Sequence, residues 1–229
     1  MFAIMKKELK SYLLSPVGYI FIGLFLLIFT IFFYSTIYQS QILNFEYLFY
    51  NGATILTFIT PVLTMRMFAE ERKSGTEQLI LTSPRSVTSV VLGKFFAATI
   101  IMIITELFTL MYFAILKHFG EPSLVVALNT LFGFLLLSLA YISFGMFASS
   151  ITENQIIASV LTIGVFLAMW FLPDIGGIFG TLEIFSLIYK FDNFPRGIFT
   201  VSEIITFVSF TVLFILLTIL VLQRRKSVK

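Results

Sequence analysis

The charged residues that could take part in chemistry lie in a few short clusters, and none of these clusters matches a common catalytic pattern. A nucleotide-binding phosphate loop ends in Gly-Lys-Ser/Thr, whereas here Gly93-Lys94 is followed by Phe95. His118 is the only histidine and there is no cysteine, which excludes zinc sites made of paired histidines or thiolates. We therefore expect no catalytic residue, no metal site and no bound cofactor, and hence no enzyme activity in this chain itself.

Glu106 is the only charged residue in an apolar stretch at 95–116. If this stretch crosses a membrane, the carboxyl group is costly there and is expected to face the interior of a helix bundle. It could line a substrate path or relay protons. It could equally be a protonated group, or one that a neighbouring helix binds through a Ser, Thr or Tyr hydroxyl.

The most charged segment, 70–85, has the pattern of a turn, a short helix and a stop. Gly75 permits a sharp change of direction. Residues 76–81 are enough for about two helical turns, and Pro84 ends them. A short helix held outside the membrane can insert its apolar side chains into a groove of a soluble partner. The alternative is a basic loop that only fixes the orientation of the chain in the membrane.

The elements around these residues are predicted to be membrane-spanning helices. Hydrophobic residues make up 59% of the chain and charged residues 12%, whereas soluble domains are about half apolar and about a quarter charged. A helical span needs about 20 apolar residues. We predict an all-α membrane protein, a single domain over 1–229, with six transmembrane helices at about 17–38, 52–68, 90–116, 124–149, 155–172 and 201–222.

Two further segments are predicted to lie at the membrane surface. Residues 1–14 are amphipathic and favour an interfacial helix, which Ser15-Pro16 ends. Gln39–Asn51 is predicted to be a polar connection between spans. The segment 173–200 is predicted to form a re-entrant or interfacial hairpin on the outer side, although an ordinary loop fits nearly as well. Its apolar side chains are expected to enter the interface: Ile184, Phe185, Leu187, Ile188 and Phe191.

Basic residues predict the orientation of the chain. With the N-terminus inside, twelve of the fifteen Lys and Arg residues fall on the inner side, as the positive-inside rule requires. Both termini and the 70–89 loop are thus predicted to be cytoplasmic, in a multi-pass protein of the cell membrane. The net charge of +3 does not indicate a nucleic-acid partner, because the basic residues lie between spans and form no single patch.

Several sequence stretches resemble a known family. The run Glu70-Glu71-Arg72-Lys73-Ser74-Gly75-Thr76-Glu77-Gln78-Leu79, with Leu81-Thr82-Ser83-Pro84 and Gly93-Lys94, resembles the signature of the ABC-2 type permeases, which lies between their second and third spans. The opening Lys6-Lys7-Glu8-Leu9-Lys10-Ser11-Tyr12 resembles their interfacial connecting helix. The stretch from Phe185 to Ile198 is similar to the outer loop of the gliding-motility and copper-processing branch. In that branch, relatives often carry a histidine near the position of Lys190.

The resemblance implies a transmembrane permease subunit that works with a separate cytoplasmic ABC ATPase and pairs with a second permease subunit, identical or different. ATP and Mg would be bound by the ATPase. Other implied partners are membrane lipids and an auxiliary protein on the outer side. The coupling helix would be about 76–82. The residues assigned to the ATPase contact are Glu70, Glu71, Arg72, Gly75, Thr76, Glu77, Leu79, Ile80, Leu81 and Pro84.

Three functions remain open at this point. The first is export of an amphipathic or lipid-like substrate. The second is transmission of ATP-driven motion to a periplasmic or extracellular partner without transport. The third is an uncoupled channel or scaffold. A channel should carry polar residues at helical spacing along several spans, and scattered Ser, Thr and Glu106 fit that pattern poorly.

Overall fold

The computed structural model is helical wherever it describes regular structure, and it describes residues 1–40, 45–78, 85–120, 122–179 and 186–227. Within these ranges there is no strand, which confirms the predicted all-α class. The helices are α1 (Phe2–Leu14), α2 (Pro16–Ser40), α3 (Phe45–Thr64), α4 (Ala69–Lys73), α5 (Val87–Phe119), α6 (Leu124–Ile151), α7 (Gln155–Phe179), α8 (Leu187–Phe191) and α9 (Val201–Ser227).

Several of these helices are long and apolar enough to cross a membrane. In the described ranges five segments qualify: Pro16–Thr36, Phe45–Lys73, Val87–His118, Leu124–Ile151 and Val201–Ser227. Gln155–Phe171 is a shorter apolar stretch within α7, a helix of 25 residues. At 1.5 Å per residue, α7 extends about 38 Å, more than the hydrocarbon thickness of about 30 Å. The sixth crossing therefore stays a prediction that the length of α7 allows.

The connection between the first two spans is shorter than predicted. A polar connection is expected at 39–51, but α3 already begins at Phe45. Phe45, Leu48 and Phe49 are buried on one side of this early part of α3. Their spacing places them on one face of a helix, which explains why α3 begins this early. The polar residues between them hide this apolar face in the sequence.

The helix that carries the predicted fifth span is longer than expected. The hairpin at 173–200 is expected to begin at Pro173, but α7 continues to Phe179. Proline removes one backbone donor, a loss that neighbouring helices can compensate inside a membrane protein. The proline therefore does not end the helix here.

The outer segment packs on protein instead of dipping into lipid. Leu187, Ile188, Phe191 and Phe194 are buried among the helices, which corrects the expected insertion of the first three into the membrane interface. Asn129 on α6 donates a hydrogen bond to the carbonyl of Phe194 at 2.9 Å. Burial of aromatic surface against the bundle stabilises this arrangement. Ile184 and Phe185 lie outside the described residues.

Helix α6 lies at the centre of the bundle, in contact with α3, α5, α7 and α9. Two glycines of α6, Gly133 and Gly145, allow neighbouring side chains to approach the α6 backbone very closely. A Cβ atom on Gly133 would lie 2.3 Å from Cγ of Phe194, and one on Gly145 would lie 2.2 Å from Oγ1 of Thr64 on α3. No larger residue fits at either position without movement of its neighbour, so α6 fixes both the outer segment and α3.

Helix α1 is present where the sequence predicts it and packs against α5 and α2. Ser15 separates it from α2 with extended backbone angles of φ −96° and ψ 156°. The Tyr12 hydroxyl donates to the carbonyl of Leu63 at 3.1 Å. Burial raises the pKa of the Tyr12 phenol, so the group stays protonated and remains a donor. The position of α1 at the membrane surface stays a prediction.

Candidate functional site

One end of the bundle is called here the basic end. It contains the start of α1, the connection 65–78 and the last turn of α9, which ion pairs bring together.

A single hydroxyl group, that of Ser149, fixes the junction of α3 and α4 at the basic end. Ser149 Oγ on α6 accepts hydrogen bonds from the N–H groups of Phe68 and Ala69, each at 3.1 Å, and donates to the carbonyl of Met65 at 2.9 Å. Backbone groups left free where a helix breaks need partners when buried. The direction of α4 is thus set by α6.

Lys94 on α5 joins α1 to α4 through a buried charge cluster. Its Nζ lies 2.7 Å from Oε1 of Glu71 and 3.3 Å from Oε1 of Glu8, and the Lys94 side chain is only 3% exposed. The same ammonium group lies 5.4 Å from the centre of the Phe68 ring, within range of a cation–π interaction. A buried charge is stable only when it is paired in this way. Lys94 therefore holds α1, α4 and α5 together.

The rest of the connection is tied to two more parts of the bundle. Arg72 Nη2 lies 2.8 Å from Oε1 of Glu153, between α6 and α7, and Arg72 Nη1 donates to the carbonyl of Ile151 at 3.4 Å. Arg225 on α9 donates to Oε1 of Glu77 at 3.1 Å. Glu71, Arg72 and Glu77 thus reach three different elements. A displacement of this connection would act on α5, on the α6–α7 turn and on α9.

Arg66 and Glu70 make a local pair next to this cluster. Arg66 donates two hydrogen bonds of 2.6 Å to the two carboxyl oxygens of Glu70, a bidentate geometry that fixes both side chains. A cavity of about 320 Å³ lies beside the pair, against α1. Its charged lining balances three basic with three acidic side chains: Lys7, Arg66, Lys94, Glu8, Glu70 and Glu71. This balance gives no preference for a charged ligand.

Gly75 makes the predicted turn, with a φ of +76° that favours glycine. Ser74 Oγ and Thr76 Oγ1 each donate to the carbonyl of Glu71 at 3.2 Å, which closes the turn. Glu77 and Gln78 are helical again. The apolar part of the predicted contact, Leu79, Ile80, Leu81 and Pro84, lies outside the described residues, and its role stays a prediction.

The sequence places Glu70 to Glu77 in one segment, but it does not predict the residues that bind them. Glu8, Lys94, Ser149, Glu153 and Arg225 lie far apart in the chain and meet only in the fold. One signal was available: Lys94 stands inside an apolar stretch, where a charge needs a partner. The identity of that partner could not be inferred.

Glu106, the other predicted site residue, lies apart from the basic end, on α5. It is 7% exposed, and its Oε1 atom has no hydrogen-bond partner in the described part of the chain. It borders an apolar groove between α5 and α6. The structure therefore brings together the 66–77 charges and leaves Glu106 in a separate place.

Comparison with known proteins agrees with this architecture. A family model described as ABC-2 family transporter protein matches residues 35–223, which include the connection at the basic end. The chain belongs to the ABC-2 transporter family. As an ABC-2 family protein with several apolar helices, it is a multi-pass membrane protein and a transmembrane component of an ABC transporter. Membership implies partnership with an ABC ATPase. Among curated proteins, none matches the chain.

Proposed function

We propose that this chain is the permease subunit of an ABC-2 exporter and that the 70–85 segment couples it to a separate cytoplasmic ATPase. The observation that carries the proposal is the set of ion pairs that join Glu71, Arg72 and Glu77 to α5, the α6–α7 turn and α9. A segment linked to three parts of the bundle can pass a displacement to all of them. No other described connection has such links.

The same segment has a face that is free to meet a partner. Lys73, Ser74, Gly75 and Thr76 are exposed at the tip of the connection. The charges before and after the tip are engaged with the bundle, so the tip is held in one position. Preorganisation of this kind lowers the entropic cost of binding. The predicted anchors Leu79 and Ile80 come after Glu77 and Gln78 in the sequence.

The remaining features of the proposal follow the sequence and the family. The bundle has six spans and cytoplasmic termini, sits in the cell membrane and pairs with a second permease subunit. ATP and Mg bind to the ATPase, and this chain contributes no catalytic residue. The substrate is amphipathic or lipid-like. Kinship with the gliding-motility and copper-processing branch rests on the outer-segment sequence alone.

The proposal predicts that Leu79→Ala with Ile80→Ala disconnects the ATPase. Apolar anchors of an interface typically contribute about 2 kcal/mol or more each, so their loss should release the ATPase subunit or leave it bound but uncoupled. The measurement is recovery of the ATPase with the tagged permease from membranes, together with its hydrolysis rate in the reconstituted complex. Gly75→Val should act similarly, because a valine is strained at a φ of +76°.

A matched control lies at the other end of the bundle. Leu124 and Val125 are likewise an adjacent apolar pair in the sequence, and both are exposed. Their double alanine variant should keep both association and coupled hydrolysis. If the Leu79 and Ile80 variant behaves like this control, the 70–85 segment is not the coupling element. A separate measurement, the flux of labelled amphiphiles in proteoliposomes, distinguishes the two coupled functions. Flux supports export, and its absence supports transmission of motion without transport.

A further inference from the structure

A groove lies between α5 and α6 on the lateral surface of the bundle, the surface that would face lipid. Its volume is about 220 Å³. Its walls are hydrocarbon apart from one carboxyl group, that of Glu106. The apolar side chains that line it are Ile103, Leu107, Leu110, Leu131, Phe132 and Leu135.

Glu106 lies deep in the membrane-spanning part of α5. At 1.5 Å per residue it is about 28 Å along the helix from Val87 and about 20 Å from Phe119. A hydrocarbon layer of about 30 Å, centred on this helix, therefore encloses it. The side chain is 7% exposed, so it is held against the protein and is not extended toward water.

The carboxyl group has an unmet need for a partner. Oε1 of Glu106 is buried and has no hydrogen-bond partner among the described residues. A carboxyl group at this depth is costly unless it is paired. The groove around it offers only hydrocarbon side chains, which cannot donate a hydrogen bond. Within the described residues no side chain supplies a partner, so the groove leaves this position open to a group from a bound molecule.

The chemistry of the groove defines that partner. Apolar walls favour an alkyl body, and a lone acidic group in a low-dielectric setting favours a positive charge over a neutral polar group. A second copy of the chain has no such charge to offer, because none of the Lys and Arg residues lies near the middle of a predicted span. A small molecule that carries both features fits better.

We propose that this groove binds a lipophilic amine, with its ammonium group paired to Glu106 and its alkyl chain between α5 and α6. The inference deepens the proposed function, since it names the class of amphiphile that an exporter of this kind would carry. Binding itself does not depend on the ATPase. It can therefore be measured separately from coupling.

The test uses the full chain in nanodiscs of zwitterionic lipid and two photoreactive probes, a long-chain alkyl amine and the alcohol of the same length. The amine should label peptides that line the groove, and dodecylamine should compete with it. Glu106→Gln should reduce amine labelling roughly tenfold or more, because it removes a charge pair in a low-dielectric setting, and should not change alcohol labelling. Glu203→Gln is the matched control, since Glu203 is equally buried but lies at the start of α9.

Three results would overturn the assignment. They are equal labelling by amine and alcohol, amine labelling unaffected by Glu106→Gln, and disulfide formation between two copies through Leu107→Cys that excludes the probe. The last result would assign the groove to a second copy. If amine labelling fails while ATPase coupling is intact, only the amine assignment is lost. If amine labelling succeeds while coupling fails, only the proposed role of the 70–85 segment is lost.

Discussion

At the scale of single residues, the basic end depends on Lys94. This side chain has the lowest exposure of any ion-pair member in the described chain, and it contacts two carboxylates from different helices. Removal of one member of a buried pair leaves the others without compensation, which costs more than the pair itself contributes. The cost of replacing Lys94 should therefore be structural and large.

We predict that Lys94→Met lowers the free energy of unfolding by about 3 kcal/mol. Glu71 then lacks its only described ion pair, and Glu8 keeps only a longer contact with Lys7. The measurement is unfolding by SDS titration in mixed micelles. Protection of α1 against hydrogen exchange, read in the same samples, should fall as well.

Lys7→Met is the matched control for this change. Lys7 contacts the same Glu8, at 3.7 Å, but its side chain is 73% exposed. Surface pairs contribute about 1 kcal/mol or less, so this variant should stay close to the parent protein. Equal losses in the two variants would show that burial of Lys94 does not decide the stability of the cluster.

At the scale of elements, the outer segment is held by its fit against α6. The ring of Phe194 occupies the space that a side chain at position 133 would need. Such contacts are decided by shape, because buried interiors are close-packed. A single added methyl group at this crossing should therefore lower the stability of the protein.

We predict that Gly133→Ala destabilises the protein by about 1 to 3 kcal/mol, since the new Cβ atom would overlap the Phe194 ring. Gly164→Ala on α7 is the control, because a Cβ atom there meets nothing within 4 Å. That change should be neutral or slightly stabilising, as alanine favours helices over glycine. Thermal unfolding of both variants in the same detergent makes the comparison. A Gly133→Ala protein as stable as the control would mean that Phe194 moves aside freely.

The sequence predicts elements better than it predicts their ends and contacts. Apolar stretches locate the long helices because a span must be continuously apolar. The start of α3 is not predicted because Glu46 and Asn51, which lie off the buried face, interrupt the apolar run in the sequence. The end of α7 is not predicted because Pro173 is an unreliable stop inside a membrane bundle. The partners of Glu71 and Glu77 could not be predicted, since Lys94 and Arg225 approach them only after folding.

At the scale of the whole molecule, the bundle has two ends of different charge. The basic end contains Lys94, Arg72 and the cluster at Arg225, whereas the opposite end, described at 122–123 and 186–200, contains few basic residues. Positive charge concentrates on the cytoplasmic side of membrane proteins. This asymmetry makes the orientation testable.

We predict that Ser74→Cys and Ser227→Cys are labelled by an impermeant maleimide only from the cytoplasmic side and Ser123→Cys only from outside. All three positions are exposed. The parent chain has no cysteine, so each label is unique. Thr162→Cys, at a buried position, is the negative control. Labelling of positions 74 and 123 from the same side would contradict the predicted topology.

The close contact between Gly145 and Thr64 makes this crossing a fixed pivot. The helices α3 and α6 cannot move closer there, so a tilt of a rigid α6 against α3 would turn about this crossing. From Gly145, α6 extends about 9 Å to Ile151 and about 31 Å to Leu124. The two arms therefore differ about threefold in length, so a tilt that moves the basic end by about 1 Å moves the far end by about 3 Å. The bundle has the geometry of a lever that amplifies a small input.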